Sequence, residues 1–337
     1  MQASPSAWSP MKSILRSAVL SALILPAFSF AQSVTSGAPV LLRALEPSPI
    51  QGDPKDDANA PAWLRVQILL DRMQFGPGEI DARWGSNTER AIAAFQRSRD
   101  LETSGALDEA TWQALNTDAS PVLVEYRLTA EDVAGPYSAM PDDMMAKAAL
   151  SRLGFASLVE ALGERFHSSP ALLKALNPNA DLTREGTALW VPDVQATEPA
   201  KAASVVVDKS DASVMLRDDQ GRVYARYPAS TGSEHDPLPI GNWTIKGVAR
   251  DPHFQYNPKL FWDAEPGHKG ARIAPGPNNP VGVVWVDLSK DHYGIHGTPE
   301  PGMVGKTESH GCIRMTNWNA AALANAVAPG TPTLLQQ

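Results

Sequence analysis

The chain has 337 residues, 43% of them hydrophobic and 20% charged, which is the composition of a folded soluble protein. It is longer than one ordinary domain core, so more than one domain is expected. The formal net charge of -8 at pH 7 disfavours nucleic acid as a partner, because phosphate backbones are bound by clustered Lys and Arg.

Residues 1–31 have the pattern of a signal peptide. Two basic residues precede an apolar stretch from Ala18 to Phe28, and small residues lead to a cleavage site near Ala31. The stretch is about half of the ~20 residues that span a bilayer, and Pro26 interrupts it, so no permanent membrane span is expected after cleavage. These features predict export to the periplasm.

Residues 32–60 are rich in Pro, Ser, Asp and Ala and are predicted to be a linker. Residues 61–118 then alternate helical patches with glycine-containing turns. Ser86 with Glu89 three residues later is typical of a capping box, and Asp108 is the predicted N-cap of a further short helix.

Residues 61–118 resemble the small three-helix peptidoglycan-binding module. The resemblance is carried by Pro77 to Asp81, Trp84-Gly85, Thr88, Phe95-Gln96, Leu101, Gly105 and Thr111-Trp112. It implies that the module as a whole binds glycan and peptide. The alternative is that each aromatic side chain here belongs only to a core.

Residues 119–194 are predicted to contain helices over Asp142 to Leu153 and over Ser157 to His167. The second helix, the run from Leu172 to Pro178 and the segment from Gly186 to Pro192 resemble a degenerate LysM repeat. The usual Gly-Asp-Thr opening is missing. The resemblance implies an α/β segment with a capacity for glycan binding.

Residues 195–203 form a second predicted linker, and residues 204–337 show a period of two that is typical of strands. Predicted strands are Val205 to Val207, Ser213 to Leu216, Arg222 to Ala225, Trp243 to Ile245 and the longer apolar run Val281 to Leu288. A late helix is predicted near Asn317 to Val327. This region is therefore expected to be a mainly-β sandwich or barrel.

Cys312 is the only cysteine of the chain, and three of the seven histidines lie near it in sequence. A single cysteine in an exported chain cannot form an internal disulfide. An imidazole that takes its proton would create a thiolate and lower the thiol pKa from about 8.5. His296 is the favoured base, because it follows a predicted buried strand and the loop 297–308 can return the chain to it.

Neighbouring residues fit the same chemistry. Gly297 and Gly311 allow close backbone approach, and consecutive amides at His310, Gly311 and Cys312 can form an oxyanion hole. His310 lies on the face of Cys312 if the backbone is extended, and it either orients substrate or is itself the base. Arg314 lies on that face too, where it either binds a substrate carboxylate or braces the loop.

The pattern His296-Gly297-Thr298 followed by Ser-His-Gly-Cys-Ile-Arg-Met from Ser309 to Met315 resembles the L,D-transpeptidases of the YkuD type. The likeness extends from Ser204 to Leu335 and includes Ser230-Thr231-Gly232, Pro239-Ile240-Gly241 and Gly330-Thr331-Pro332. Some members have Asn where Arg314 stands, and the family also uses Arg there.

That resemblance implies a β-sandwich enzyme without a cofactor. Cys312 would take an acyl group from a tetrapeptide stem of peptidoglycan, release D-Ala and pass the acyl group to an amine. The acceptor would be a second stem, a lipoprotein lysine or water. Ser309 and Arg314 are the predicted substrate-binding residues, and sensitivity to carbapenems is expected.

Three alternatives remain open from the sequence. His292, His296, His310 and Cys312 carry side chains that zinc prefers. The protein would otherwise be a wall-binding protein without catalysis, or an L,D-carboxypeptidase that uses the same thioester.

The segment from Arg250 to Pro280, dense in Pro, Gly and Asn, is a candidate lid over the cleft.

Overall fold

The structure is a computed structural model that describes residues 40–46, 49–195 and 197–337. The signal peptide predicted over residues 1–31 lies outside the described residues. Within the described ranges, every helix is too short or too polar to cross a membrane.

Three helices make up the first part of the described chain: α1 (Ala60–Arg72), α2 (Ser86–Ser98) and α3 (Glu109–Leu115). They share a buried core in which Ile68, Ile92, Phe95 and Leu115 are inaccessible to solvent. Asp108 caps α3 as predicted, accepting a bond from the Thr111 amide at 2.7 Å.

The capping box predicted at Ser86 is wrong. The N-cap of α2 is Gly85, which has no side chain to accept an amide bond, and Ser86 is already the first helical residue. A capping box requires its serine at the N-cap, and Ser86 lies one residue after that position.

The described part of the predicted linker 32–60 packs against α1. Leu42 and Ala44 in a short 3-10 helix, Val40–Leu45, are buried. The Asn59 side chain donates to the carbonyls of Gln51 and Asp53, and the Trp63 indole donates to that of Pro54. Apolar burial and side-chain donors fix a segment whose composition alone suggested a linker.

A second group of elements follows: β1 (Leu123–Arg127), α4 (Ala130–Ala134), α5 (Met144–Ala148), α6 (Leu158–Arg165), α7 (Pro170–Leu176) and β2 (Ala188–Pro192). β1 and β2 pair antiparallel. The helix predicted to reach Leu153 ends at Ala148. Leu153 is instead extended, with its amide bonded to the Pro275 carbonyl and its carbonyl to the Asn278 amide.

The last part of the chain is β-rich. Its strands are β3 (Ser204–Asp208), β4 (Ser213–Arg217), β5 (Val223–Pro228), β6 (Gly241–Arg250), β7 (Phe254–Tyr256), β8 (Ala271–Ile273), β9 (Val284–Leu288), β10 (Gly294–His296), β11 (Ile313–Arg314) and β12 (Pro332–Gln336). Helix α8 covers Asn317–Ala326, close to the predicted range. The buried strand predicted from Val281 begins only at Val284, because Gly282 takes a left-handed φ of 62° in a turn.

Eight of these strands form one sheet in the order β11-β10-β9-β6-β12-β3-β4-β5. Strand β6 belongs to both halves of the sheet: residues up to Thr244 pair with β12, and residues from Ile245 pair with β9, with a register shift between Ile245 and Gly247. A bulge of this kind bends a strand, so the predicted sandwich is built as a single curled sheet. Its core contains Val205, Leu216, Val286, Leu323 and Leu335.

Candidate active site

The pairing of β10 with β11 gathers the predicted site residues. The two strands are parallel, with Ile295 opposite Ile313 and His296 opposite Arg314. Paired residues, and residues two apart along an extended chain, point to the same face. Ile295 and Ile313 enter the core, so His296, Arg314 and Cys312 share the opposite face.

These three side chains line one cleft of about 1340 Å³, together with Ser309 and His310. Gly297 and Gly311 flank it within the backbone of the same two segments. The structure therefore brings together the residues that the sequence singled out, although each has a different environment.

His296 is held in a defined tautomer. Its ring is buried and stacks on Trp285, with ring centroids 5.5 Å apart. Nδ1 lies 2.6 Å from the Gly297 carbonyl oxygen, and since a carbonyl only accepts, Nδ1 carries the proton. The lone pair is therefore on Nε2, the nitrogen that a base needs. At Gly297 a Cβ would lie 2.1 Å from Asn317 Oδ1, so a side chain is excluded there.

The protonation states of His296 and Cys312 differ from what the sequence predicted, which was a thiol pKa lowered by a charged imidazole. Burial lowers the pKa of His296 to about 4, and the charge of Arg314 adds to this while the Gly297 bond opposes it. Burial raises the pKa of the Cys312 thiol, against a bond from the Gly294 backbone. A neutral imidazole supplies no positive charge to stabilise a thiolate, so the resting pair is neutral.

The turn before Cys312 leaves its amides free. None of the backbone N–H groups of His310, Gly311 and Cys312 donates to a backbone carbonyl of the described residues. Gly311 has a left-handed φ of 93°, and a Cβ there would lie 3.1 Å from the Tyr293 ring. The Cys312 thiol itself lies 3.7 Å from the His292 carbonyl oxygen. Free amide N–H groups in a turn beside a thiol can donate hydrogen bonds to a developing oxyanion.

His310 is turned toward the lid segment, residues 250–280. Its Nε2 lies 3.0 Å from both carboxylate oxygens of Asp263. The rings of Phe261 and Trp262 pack on it at centroid distances of 5.3 and 5.8 Å. Its ring nitrogen is thus engaged at the cleft rim, which favours an orienting role over the base.

Ser309 and Arg314 both support the loops around the cleft. The Ser309 hydroxyl donates to the Cys312 carbonyl, and its amide donates to Thr231. The Arg314 Nη2 donates to the Thr307 hydroxyl and to the Glu308 carbonyl. Arg314 therefore braces the 297–308 loop while its side chain also lines the cleft.

The lid segment forms one wall of the cleft, as its composition suggested. β7 and β8 pair antiparallel, and they share a small core of Leu153, Tyr256 and Ile273. His268 bridges Tyr256 and Asp143, at 2.9 and 2.7 Å. Sequence reasoning missed Asp263, Asp143 and Trp285, because none stands at a telling spacing from Cys312.

The zinc hypothesis requires several ligands to converge on one point. Across residues 40–46, 49–195 and 197–337, no three His, Cys, Asp or Glu side chains are arranged to hold a metal ion. His310 and His296 each direct one ring nitrogen to the protein, at Asp263 and Gly297.

Comparison with known proteins agrees with the motifs. The family described as L,D-transpeptidase catalytic domain matches residues 202–335, and the peptidoglycan binding domain matches residues 59–115. A Bacillus licheniformis protein named as an L,D-transpeptidase, YkuD, is 53% identical over 175 residues, 51% of this chain and 90% of that protein. The YkuD of Bacillus subtilis is 29% identical over the same share of each chain.

A curled β-rich domain with a thiol and an imidazole in its cleft, joined to a helical peptidoglycan-binding module, defines an acyltransferase-type enzyme of the cell wall. The chain belongs to the L,D-transpeptidase family of the YkuD type. The resemblances drawn from residues 204–335 and 61–118 are thereby confirmed.

Proposed function

We propose that the protein is a peptidoglycan L,D-transpeptidase in which Cys312 is the nucleophile and His296 the base. The observation that carries this proposal is the parallel β10–β11 pair, which sets Cys312 and His296 on one face of a cleft. The bond from His296 Nδ1 to Gly297 replaces the carboxylate that orients the base in other catalytic groupings.

The first half-reaction forms a thioester. Nε2 of His296 takes the thiol proton as Sγ attacks the carbonyl of the L-to-D bond, and the oxyanion faces the free amides of residues 310–312. The intermediate then collapses. The C–N bond breaks, and the His296 proton goes to the D-Ala amine, which leaves. Because both partners start neutral, proton transfer accompanies the attack.

An amine acceptor completes the second half-reaction. It attacks the thioester carbonyl, loses a proton to His296 and expels the Cys312 sulfur, which recovers that proton. Carboxylates outnumber Lys and Arg on the cleft wall: Asp142, Asp143, Asp236, Asp263, Glu265, Asp291 and Glu300 against Lys147, Lys290 and Arg314. This balance favours binding of an amine that arrives as a cation, on a second stem or a lipoprotein lysine, and that gives up one proton to solvent to become the neutral nucleophile before it attacks. Water in its place would give an L,D-carboxypeptidase.

The remaining parts of the chain are proposed to bring the enzyme to the wall. The boundaries are a signal peptide at 1–31, a peptidoglycan-binding module at 61–118, a LysM-like segment at 119–194 and a catalytic domain at 204–337. The pairing of β1 with β2 around α6 and α7 supports an α/β segment of LysM type. Export then places the protein in the periplasm, bound to glycan and stem peptides.

Intact mass spectrometry tests the proposal directly, because Cys312 is the only thiol. Exposure to a carbapenem or to a soluble tetrapeptide stem is expected to add one acyl group, with loss of D-Ala in the second case. Cys312→Ser should show neither adduct under the same conditions, whereas His296→Gln should acylate about 100-fold more slowly or worse. A wild-type protein that acquires no adduct from either compound contradicts the proposed chemistry.

Product analysis then distinguishes the acceptors. Digested wall material incubated with the protein should yield cross-linked dimers if an amine is the acceptor. Trimmed monomers alone would instead indicate the carboxypeptidase, and equal wall binding with no product would indicate a binding protein.

A further inference from the structure

The helical module is attached directly to the catalytic sheet. The Gly76 amide donates to the Arg226 carbonyl at 2.8 Å, and the Arg226 amide donates to the Gln74 carbonyl at 2.9 Å. The Tyr227 hydroxyl adds a bond of 2.6 Å to the Gln74 side chain. Arg226 and Tyr227 in β5 are both buried. The chain after α1 thus extends the β5 edge of the sheet.

A second attachment reaches the loop beside the active site. The side chain of Asn87, in α2 of the module, donates from Nδ2 to the Val304 carbonyl at 2.9 Å, and both residues are buried. The next residue, Gly305, has a left-handed φ of 74°, and a Cβ there would lie 2.5 Å from Asn87 Oδ1. Asn87 is therefore packed tightly against the 297–308 loop.

That loop holds Arg314 in turn. The Gly305 amide donates to the Ser230 hydroxyl at 3.1 Å, and Ser230 exchanges two backbone bonds of 2.9 Å with Arg314. The guanidinium donates to Thr307 in the same loop. Three short steps thus connect the Asn87 side chain with the guanidinium of Arg314.

Arg314 retains an unused donor at the cleft. Its Nε–H is shielded from solvent and has no hydrogen-bond partner among the described residues. Its Nη1 lies 3.9 Å from Glu300, which is a loose contact. The side chain lines the cleft, so a guanidinium whose Nη1 has only this loose partner in the described part of the chain retains a charge-assisted donor for a carboxylate ligand. In the proposed reaction the group at hand is the terminal carboxylate of D-Ala, next to the bond that Cys312 attacks.

From these contacts we infer that Asn87 is a positioning residue: it holds the 297–308 loop so that Arg314 binds the terminal carboxylate of the donor stem. The peptidoglycan-binding module then contributes to binding of the donor stem. This contribution is expected also with a soluble stem that carries no glycan. This inference rests on the proposed transpeptidase function.

Steady-state kinetics on two soluble tetrapeptide stems test it, one with a free C-terminal carboxylate and one with a C-terminal amide. Asn87→Ala is expected to raise KM for the acid about fivefold, the effect of one lost hydrogen bond, with kcat nearly unchanged. KM for the amide should stay as in the wild type, because an amide makes no ion pair with Arg314. A merely structural defect would affect both stems alike.

Asn59→Ala is the matched control, since Asn59 is also a buried donor, directly before α1 of the module, and its side-chain hydrogen bonds go to Gln51 and Asp53. It should leave the acid-to-amide KM ratio unchanged. If Asn87→Ala does not fold, Asn87→Asp keeps the shape and removes the donor, and the same ratio is measured. An unchanged ratio in the folded Asn87 variant overturns the inference, whereas a wild type that forms no adduct at Cys312 overturns the proposed function instead.

Discussion

Desolvation of His296 and of the Cys312 thiol determines the protonation state of the proposed catalytic pair before substrate binds. His296, with its pKa lowered to about 4, is a neutral base over the whole neutral range. Cys312, with its thiol pKa raised, keeps its proton in the same range. A low-pKa thiolate reacts with any electrophile, whereas a protonated thiol is activated only when His296 can take its proton. This environment therefore protects the thiol from electrophiles that His296 does not serve.

This pairing predicts a specific pH dependence. Acylation by a soluble stem should persist at pH 5 and be lost as the pH falls through about 4, because His296 then gains the proton that disables it as a base. Alkylation of Cys312 by iodoacetamide should rise steadily into the alkaline range with no plateau below pH 8. Both rates can be followed by intact mass. If the alkylation rate instead reaches a plateau between pH 5 and 7, and this plateau disappears in His296→Gln, a thiolate–imidazolium pair is present and the prediction is contradicted.

The motif predicted the residues that we propose to react, but not the residues that change their pKa. Cys312, His296 and Gly297 could be predicted because their spacing along the chain is itself the signal. Trp285 stacks on His296, Asn317 packs against Gly297 and Asp263 pairs with His310, all from distant positions that no local pattern relates to the motif. The direction of the thiol pKa shift was missed for the same reason, since desolvation depends on burial by the whole fold.

At the scale of elements, the lid segment is anchored at both its base and its rim. The base is the small core around Leu153 and Ile273, together with an exposed ion pair of 3.3 Å between Arg152 and Asp251. The rim is the pairing of Asp263 with His310. Asp263 and His310 both line the cleft, so for the proposed substrate this exposed and individually weak contact is the place where the cleft can open.

Removal of the rim contact should make Cys312 more accessible. Asp263→Ala is expected to increase the rate of labelling by a bulky maleimide up to about fivefold, the range of a surface ion pair, with labelling by the small iodoacetamide nearly unchanged. Arg152→Ala is the matched control, because it removes an ion pair of the lid base. Labelling rates are read by mass on the single thiol. Equal acceleration by both variants, or none by Asp263→Ala, would show that the rim pair does not govern access.

Secondary-structure elements could be predicted where one hydrophobic period persists along the sequence. Strands β3, β4 and β6 lie where alternation predicted them, and α8 lies where a late helix was predicted. Strands β7 and β8 were missed, since three residues each are too few to establish a period. The predicted helix over Asp142 to Leu153 was too long, because the pairing of Leu153 with the lid base outweighs local helix propensity.

For the whole molecule, the notable feature is that carboxylates from separate parts of the chain meet. Glu164 in α6 lies near Glu160 in the same helix, Glu79 from the peptidoglycan-binding module and Asn317 at the start of α8. Burial raises the pKa of Glu164 to about 8, the charges of Glu160 and Glu79 add to the rise, and a hydrogen bond to Asn317 opposes it. Burial also raises the pKa of Glu79. The junction between these parts is therefore sensitive to pH.

The sign of that sensitivity follows from the raised pKa. A carboxyl whose folded pKa lies above its ordinary value of 4.5 contributes stability that is complete below pH 4.5 and is lost as the pH rises through about 8. Above that pH the folded protein must hold a buried charge beside two others. Glu164→Gln keeps the shape of the side chain while it removes that charge.

We therefore expect Glu164→Gln to unfold at nearly the wild-type temperature at pH 5 but to be more stable at pH 9 by about 1 kcal/mol, or about 2 °C in Tm. The estimate is kept well below the full pKa shift because Glu164 retains some contact with solvent. Thermal unfolding followed by circular dichroism across this pH range measures the difference. Glu131→Gln, an exposed change in α4, should leave the unfolding temperature unaltered at every pH. A stabilisation by Glu164→Gln that does not grow with pH would show that Glu164 remains ionised in the folded protein, and that the junction tolerates its charge.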